Sequence, residues 1–217
     1  MPVQIISVER AADLVFSGAS VMVGGFLNAG SPNFILEELS KRPIKDLTVI
    51  ANDTSFVGKG LGNLVGNKQI SRFYVSHIGT NPETGRQMTS GETTVHLIPQ
   101  GTLAERIRCA GFGLGGVLTP TGVGTPVQEG KQIVEVEGKK YLMELPLRAD
   151  IAIIKAYKAD KTGNLVYRGA ARNFNPLMAT AAKLVIAEVE HIVETGELNP
   201  DEVVTPAIFV DYLAKEN

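Results

Sequence analysis

The sequence predicts an α/β fold: a largely parallel sheet flanked by helices, with one hairpin added. Three observations carry this. Short apolar runs bounded by glycine or proline recur along the chain and read as strands buried on both faces. Segments with helix-start signals fall between them, the alternation that builds parallel sheets. Glycine is 23 of 217 residues, about a tenth where ~7% is usual. Glycine weakens helices and strands alike, so the surplus belongs to loops where the backbone comes close to something.

The elements follow in order. Ser7 caps a helix in which Val8, Ala11, Ala12 and Val15 share a face and which Gly18 ends. Ser20 to Val23 is a buried strand, followed by the loop Gly24-Gly25-Phe26-Leu27-Asn28-Ala29-Gly30. Ser31 is the expected N-cap and Pro32 the first helical residue of a helix over 33–40. Strand, glycine loop and helix N-terminus outline an anion-binding arrangement. Leu47 to Ala51 delivers Asn52-Asp53-Thr54, and Phe73 to His77 delivers Gly79-Thr80-Asn81-Pro82. Thr94 to Ile98 ends at Pro99-Gln100-Gly101-Thr102, with a helix over Leu103 to Ala110 and Gly111 as its C′ residue. A glycine-rich loop covers 111–125. Ile133 to Val136 and Tyr141 to Glu144 form a hairpin laid over it, turning at Glu137-Gly138. Ile151 to Ala156 resumes the buried strands, Lys161 to Asn164 is a turn, and Asn175-Pro176 opens a helix through Lys183. Leu184 to Val189 is a further strand, and Ile208 to Leu213 docks near the sheet. With no repeat or linker, the expectation is one domain over 1–217.

Composition excludes several functions. Lys and Arg number 21 and Asp and Glu 23, a net charge of −2, which gives no support to a nucleic-acid or membrane surface. The uncharged stretches 14–36 and 109–128 contain four and six glycines, with prolines, and so lack the unbroken ladder of a spanning helix. Glu9 and Arg10 stand where a secretory leader would be apolar. The expected location is therefore cytoplasmic. His77, His96 and His191 share no metal-ligand spacing and are expected to be structural, with no metal bound. Cys109, the only cysteine, reads as a small buried hydrophobe. Arg106 and Arg108 with Glu105 read as a solvated, ion-paired helix face.

Gly111 to Gly116 matches G-x-G-x-x-G literally, but the dinucleotide fingerprint needs a strand before it and a helix after it. Here a helix precedes and Pro120 follows, so nicotinamide binding is rejected. Asn52-Asp53 and Gln100 follow buried strands, where amides can be held rigidly as oxyanion donors. Their residue types alone leave functional and turn roles both open.

The string Val21-Met22-Val23-Gly24-Gly25-Phe26-Leu27-Asn28-Ala29-Gly30-Ser31-Pro32 resembles the signature of family I coenzyme A transferases. Ser17-Gly18 departs from the Asp or Asn that usually precedes that glycine. Further blocks resemble the family's α subunit in order: 50–54, 76–85, 99–106, 119–125 and 171–176. The 52–54 and 79–85 versions are most similar to the acetate/acetoacetate or butyrate type. The resemblance implies a CoA transferase-like fold and transfer of CoA between an acyl-CoA and a free carboxylate. It implies no permanently bound cofactor, with CoA and acyl-CoA as substrates.

In that family a glutamate attacks the thioester, and the released CoA thiolate then forms a glutamyl-CoA thioester that a second carboxylate resolves. That glutamate sits in a Glu-Asn-Gly-type context on the β subunit. Here the only Glu-Asn is Glu216-Asn217, with no glycine after it, so the nucleophile is expected on a partner β subunit in an α2β2 assembly. Glu83, Glu92 and Glu129 are expected to be surface or loop carboxylates. Gly24 to Gly30 match the CoA-binding loop, and Asn52 and Gln100 match amides that orient the substrate carboxylate and stabilise oxyanions. The alternatives are a sugar-phosphate isomerase-like enzyme and a non-catalytic CoA-binding module on a related fold.

Overall fold

The computed structural model describes residues 3–215; Glu216-Asn217 lies outside them. Among these residues the strands are β1 (Gln4–Ile6), β2 (Ser20–Val23), β3 (Leu47–Ala51), β4 (Ile70–Val75), β5 (Thr94–Leu97), β6 (Val117–Thr119), β7 (Ile133–Val136), β8 (Lys139–Glu144), β9 (Ala149–Asp160), β10 (Leu165–Val166), β11 (Ala182–Val193) and β12 (Tyr212–Lys215). The helices are α1 (Val8–Asp13), α2 (Asn33–Ser40), α3 (Leu61–Gly66), α4 (Pro82–Ser90), α5 (Gln100–Gly111) and α6 (Asn175–Met178). The main sheet runs β1-β12-β11-β9-β2-β3-β4-β5, and every pair along that path is parallel. β10 pairs antiparallel with β9, and β6-β8-β7 form a small antiparallel sheet.

Alternate residues of the central strands feed two cores, as a sheet covered on both faces requires. Val21, Val23, Val49, Ile151 and Ile153 face one side, with Ala11, Leu36 and Leu64 from α1, α2 and α3. Met22, Ile50, Ala152 and Ile154 face the other, with Leu103 and Ile107 of α5 and Met178 of α6. Cys109 is fully buried, as its apolar neighbours imply. Ser7 caps α1, its hydroxyl accepting from the Arg10 amide at 3.2 Å.

Several expectations are corrected. The first element among the described residues is β1, and 208–213 does more than dock: its end lies in β12, and the two pair with each other at the sheet edge. α6 stops at Met178, and β11 begins at Ala182 because it pairs with Ala149 of β9. The 175–183 helix is therefore cut short by sheet pairing, which outweighs local propensity. α5 begins at Gln100, not Leu103, and Gly111 is its last helical residue. A Cβ on Gly111 would lie 1.9 Å from Thr180 Oγ1, so this glycine serves close packing rather than a left-handed cap. Arg106 is largely withdrawn from solvent. Its Nε donates to Leu145 O at 2.7 Å, and its Nη1 stands 3.5 Å from the buried Glu144 carboxylate, which ties α5 to the small sheet. Arg108 and Glu105 do form the exposed pair, at 2.7 Å. The hairpin turns at Glu137 (φ 52°) and Gly138 (φ 75°), the two left-handed residues a tight two-residue loop needs.

Candidate active site

Because β2, β3, β4 and β5 are parallel neighbours, the segments leaving their carboxyl ends stand side by side, the usual ligand position in such sheets. β2 delivers Gly24 to Gly30, β3 delivers Asn52 to Ser55, β4 delivers Ser76, and β5 leads through Pro99 into Gln100 at the start of α5.

Hydrogen bonds join these segments. Gln100 Nε2 donates to Asn52 Oδ1 at 2.8 Å, and Ser76 Oγ donates to the same atom at 2.9 Å. Asn52 Nδ2 donates to Asp53 Oδ2 at 2.8 Å, and the Leu27 amide of the glycine loop donates to that oxygen at 2.7 Å. Asp53 Oδ1 accepts from the Ser55 amide at 2.8 Å, and Ser55 Oγ donates to Asn28 Oδ1 at 2.6 Å. The sequence-predicted amides and the glycine loop therefore form one connected cluster. Asn52 and Asp53 are buried, whereas Gln100 is exposed. Asn52 already serves three protein groups, which suits it to orient Gln100; Gln100 presents an exposed amide.

Leu27 (φ 48°) and Ser55 (φ 58°) are non-glycine residues in the left-handed region, a conformation that costs about 1–3 kcal/mol each. The Asp53 carboxylate bonds both amides, one on each oxygen. Asp53 is thus the fastening between the two loops. The sequence reading named it only as Asn52's neighbour; the signal was an acid directly after a buried strand.

The glycines of the β2 loop are explained by close approaches. A Cβ on Gly24 would lie 1.8 Å from Asn175 Oδ1, on Gly25 2.2 Å from Ser31 Oγ, and on Gly30 2.7 Å from Ala171 Cα. Asn175 Nδ2 also donates to Gly30 O at 2.9 Å, and Asn173 Nδ2 to Ala29 O at 2.9 Å. The amides of Gly24, Phe26, Leu27 and Ala29 are all bonded within the protein. Those of Gly25, Asn28 and Gly30 have no acceptor among the described residues. Phe26, Phe34, Phe56 and Val57, exposed by 39–64%, lie on the loop, at the start of α2 and beyond Ser55.

Ser31 does not cap α2. Pro32 holds the N-cap position with no side-chain bond, and the Ile35 amide donates instead to Glu188 Oε2 at 2.8 Å. The sequence reading missed Glu188, although an acid inside the apolar run 184–189 was the visible signal. Burial raises its carboxyl to about 7, opposed by the Ile35 amide and Lys155.

The remaining residues take structural contacts. His96 stacks on Tyr74 at 4.6 Å, His191 meets Tyr157 edge-on at 5.3 Å, and His77 bridges to Asp53 through the backbone. Among the described residues no group of three His, Cys, Asp or Glu is placed to hold a metal ion. Glu83 and Glu92 pair with Arg86 at 2.7 and 2.6 Å on the surface, and Glu129 is exposed.

Comparison with known proteins shows the family of the chain. The family model described as "Coenzyme A transferase" matches residues 5–216. The acetate CoA-transferase subunit alpha of Escherichia coli K12 is 52% identical over 213 residues, 98% of this chain and 97% of that one. The acetoacetyl-CoA:acetate/butyrate CoA transferase alpha subunit of Clostridium acetobutylicum is 45% identical over 213 residues, 98% of each chain. Among solved structures, an acyl-CoA transferase of Escherichia coli O157:H7, a thioester complex with CoA, superposes with a TM-score of 0.84 at 21% identity. That match covers 99% of this chain and 47% of the other, so this chain spans about half of that longer protein. The chain belongs to the coenzyme A transferase family, among its α-subunit chains.

Proposed function

We propose that this chain is the α subunit of a cytoplasmic short-chain acyl-CoA:carboxylate CoA transferase of the acetate, acetoacetate or butyrate class. It moves CoA between an acyl-CoA and a free carboxylate, and a partner β subunit in an α2β2 assembly supplies the nucleophilic glutamate. CoA enters as substrate, and no cofactor is held permanently. Residues 1–217 act as one domain, a reading supported by a single main sheet in which β1 and β12, from the two ends of the described chain, pair with each other. Among the described residues no helix is long and apolar enough to cross a membrane.

The observation that carries this reading is the Gln100–Asn52–Asp53–Leu27 chain, which couples an exposed amide to the glycine loop. In the proposed roles, Gly24, Gly25, Phe26, Leu27, Asn28, Ala29 and Gly30 face CoA, with the Gly25, Asn28 and Gly30 amides as donors. Gln100 hydrogen-bonds the substrate carboxylate and the oxyanion that develops from it, and Asn52 holds Gln100 in place. Neutral amides suit the task because they do not repel a carboxylate. The apolar residues beside the loop are suited to be covered by the partner or by the acyl-CoA chain. The isomerase-like and non-catalytic alternatives are not favoured, since the relatives are named as CoA transferases.

Gln100→Ala in the assembled enzyme tests the role. Loss of one preorganised donor should lower kcat by about 10²–10³-fold. A kcat within about twofold of the unsubstituted enzyme would remove Gln100 from the mechanism.

A further inference from the structure

Glu188 is an acid in the middle of β11 and is fully buried. Its carboxylate reaches the first turn of α2, where the Ile35 amide donates to Oε2 at 2.8 Å. A helix start needs acceptors for its leading amides, and Pro32 at the N-cap of α2 offers no side-chain acceptor. The cap comes from 153 residues further along the chain. Such a cap satisfies the Ile35 amide and also fixes α2 to the sheet.

The neighbour of Glu188 on β9, in register, is Lys155. Lys155 Nζ lies 3.7 Å from Glu188 Oε1 and 3.5 Å from Glu190 Oε1. The Lys155 amide donates to Asn175 Oδ1 at 2.9 Å, and the same Asn175 side chain holds Gly30 O. One adjacent pair of strand residues therefore governs both the last residue of the glycine loop and the first turn of the helix behind it. Among the described residues Glu188 Oε1 accepts no hydrogen bond, so the carboxyl meets α2 through Oε2.

We infer that Glu188 is a positioning residue for acyl-CoA binding: its carboxylate, anchored on β11, sets where α2 and the Gly24–Gly30 loop stand. The inference rests on the reading of that loop as facing CoA. What matters is reach. Oε2 must arrive at the Ile35 amide, and a side chain shorter by one methylene leaves that amide unpaired in a dry interior, so that α2 and the loop shift.

Two substitutions separate reach from charge in the enzyme reconstituted with its partner. Glu188→Gln keeps the reach and an acceptor oxygen; Glu188→Asp keeps the charge and retracts it. With the Asp variant, amide hydrogen exchange over 24–36 should accelerate about tenfold and KM for acyl-CoA should rise about tenfold, while KM for the carboxylate stays within about twofold. The Gln variant should stay within about threefold of the unsubstituted enzyme in all three quantities. Unchanged exchange over 24–36 in the Asp variant overturns the positioning role. Accelerated exchange with an unchanged acyl-CoA KM overturns it differently, by showing that the loop does not serve CoA. In the unsubstituted enzyme, a non-reactive acyl-CoA thioether should slow exchange at Ile35 about tenfold. No change there overturns the inference even if the Asp variant fails to fold.

Discussion

Residues 24–30 and 111–124 are both rich in glycine, yet the protein surrounds them differently. In the first stretch all three glycines are met by a neighbour at less than 3 Å from a hypothetical Cβ. Side chains reaching in from Asp53, Asn173 and Asn175 also bond its backbone. In the second, Gly111 and Gly116 are crowded where the chain leaves α5 and enters β6, and Gly122 packs on Val127. Gly113, Gly115 and Gly124 have nothing within 4 Å. The first is a fixed shape supported from behind, and the second is a connector that is tight only where it joins packed elements. Glycine content alone does not separate them; what approaches each glycine does. A site that must hold reacting groups in place needs the first kind of loop.

The sharpest way to break this contrast is Asp53→Ala. It leaves the amides of Leu27 and Ser55, and Asn52 Nδ2, without their shared acceptor. Activity of the assembled enzyme should fall by about 10²-fold, as a misplaced catalytic element does, with a stability loss of at least about 2 kcal/mol in urea titration. Activity within threefold would show that the loop needs no fastening.

Next in size is a pH effect. Burial holds the Glu188 carboxyl near 7 where 4.5 is ordinary, with Lys155 as its facing charge and Glu190 sharing that lysine. Between those values the folded state keeps a proton that the unfolded state has lost, so this group's contribution to stability falls as pH rises. At about 1.4 kcal/mol per pH unit at most, the window is worth about 3 kcal/mol. Urea titrations from pH 4.5 to 8 should therefore show the unsubstituted chain losing stability relative to Glu188→Gln as pH rises. A constant difference across that range would contradict the assignment.

Gly24→Ala comes third. It drives a methyl into Asn175 Oδ1 and should cost about 1–3 kcal/mol as overpacking does, read as a lower thermal midpoint. Gly115→Ala is the control from the other stretch. It has open space and no left-handed backbone requirement, so a change within about 0.5 kcal/mol is expected. Equal losses at the two positions would erase the distinction.

Much of this was legible in the sequence because buried parallel strands are apolar on both faces. Val21 to Val23 and Leu47 to Ala51 stand out, and the polar residues after them mark the site. The edges were not legible. Gln4 to Ile6 and Tyr212 to Lys215 are short and mixed, and they become strands through sheet pairing, β1 on β12 and β12 on β11. α3 and α4 were missed because Gly62, Asn63 and the polar run 82–90 carry little helical pattern. Asn52 and Gln100 were found, but the connection between them was not. Asp53, Ser76 and Asn175 act through tertiary hydrogen bonds that no local pattern encodes. Glu188 was hidden for the same reason: its partner amide, that of Ile35, lies in α2.

The central claim is that this chain carries half of a transferase site, with the amide cluster and glycine loop here and the nucleophile elsewhere. The direct measurement is CoA transfer by the purified chain alone, then after adding its β subunit, followed by hydroxylamine trapping of the enzyme-bound thioester. The account predicts no transfer by this chain alone, transfer once the partner is added, and the trapped glutamyl group on the partner. Full transfer by this chain alone, or a trapped glutamyl group within it, would contradict the account.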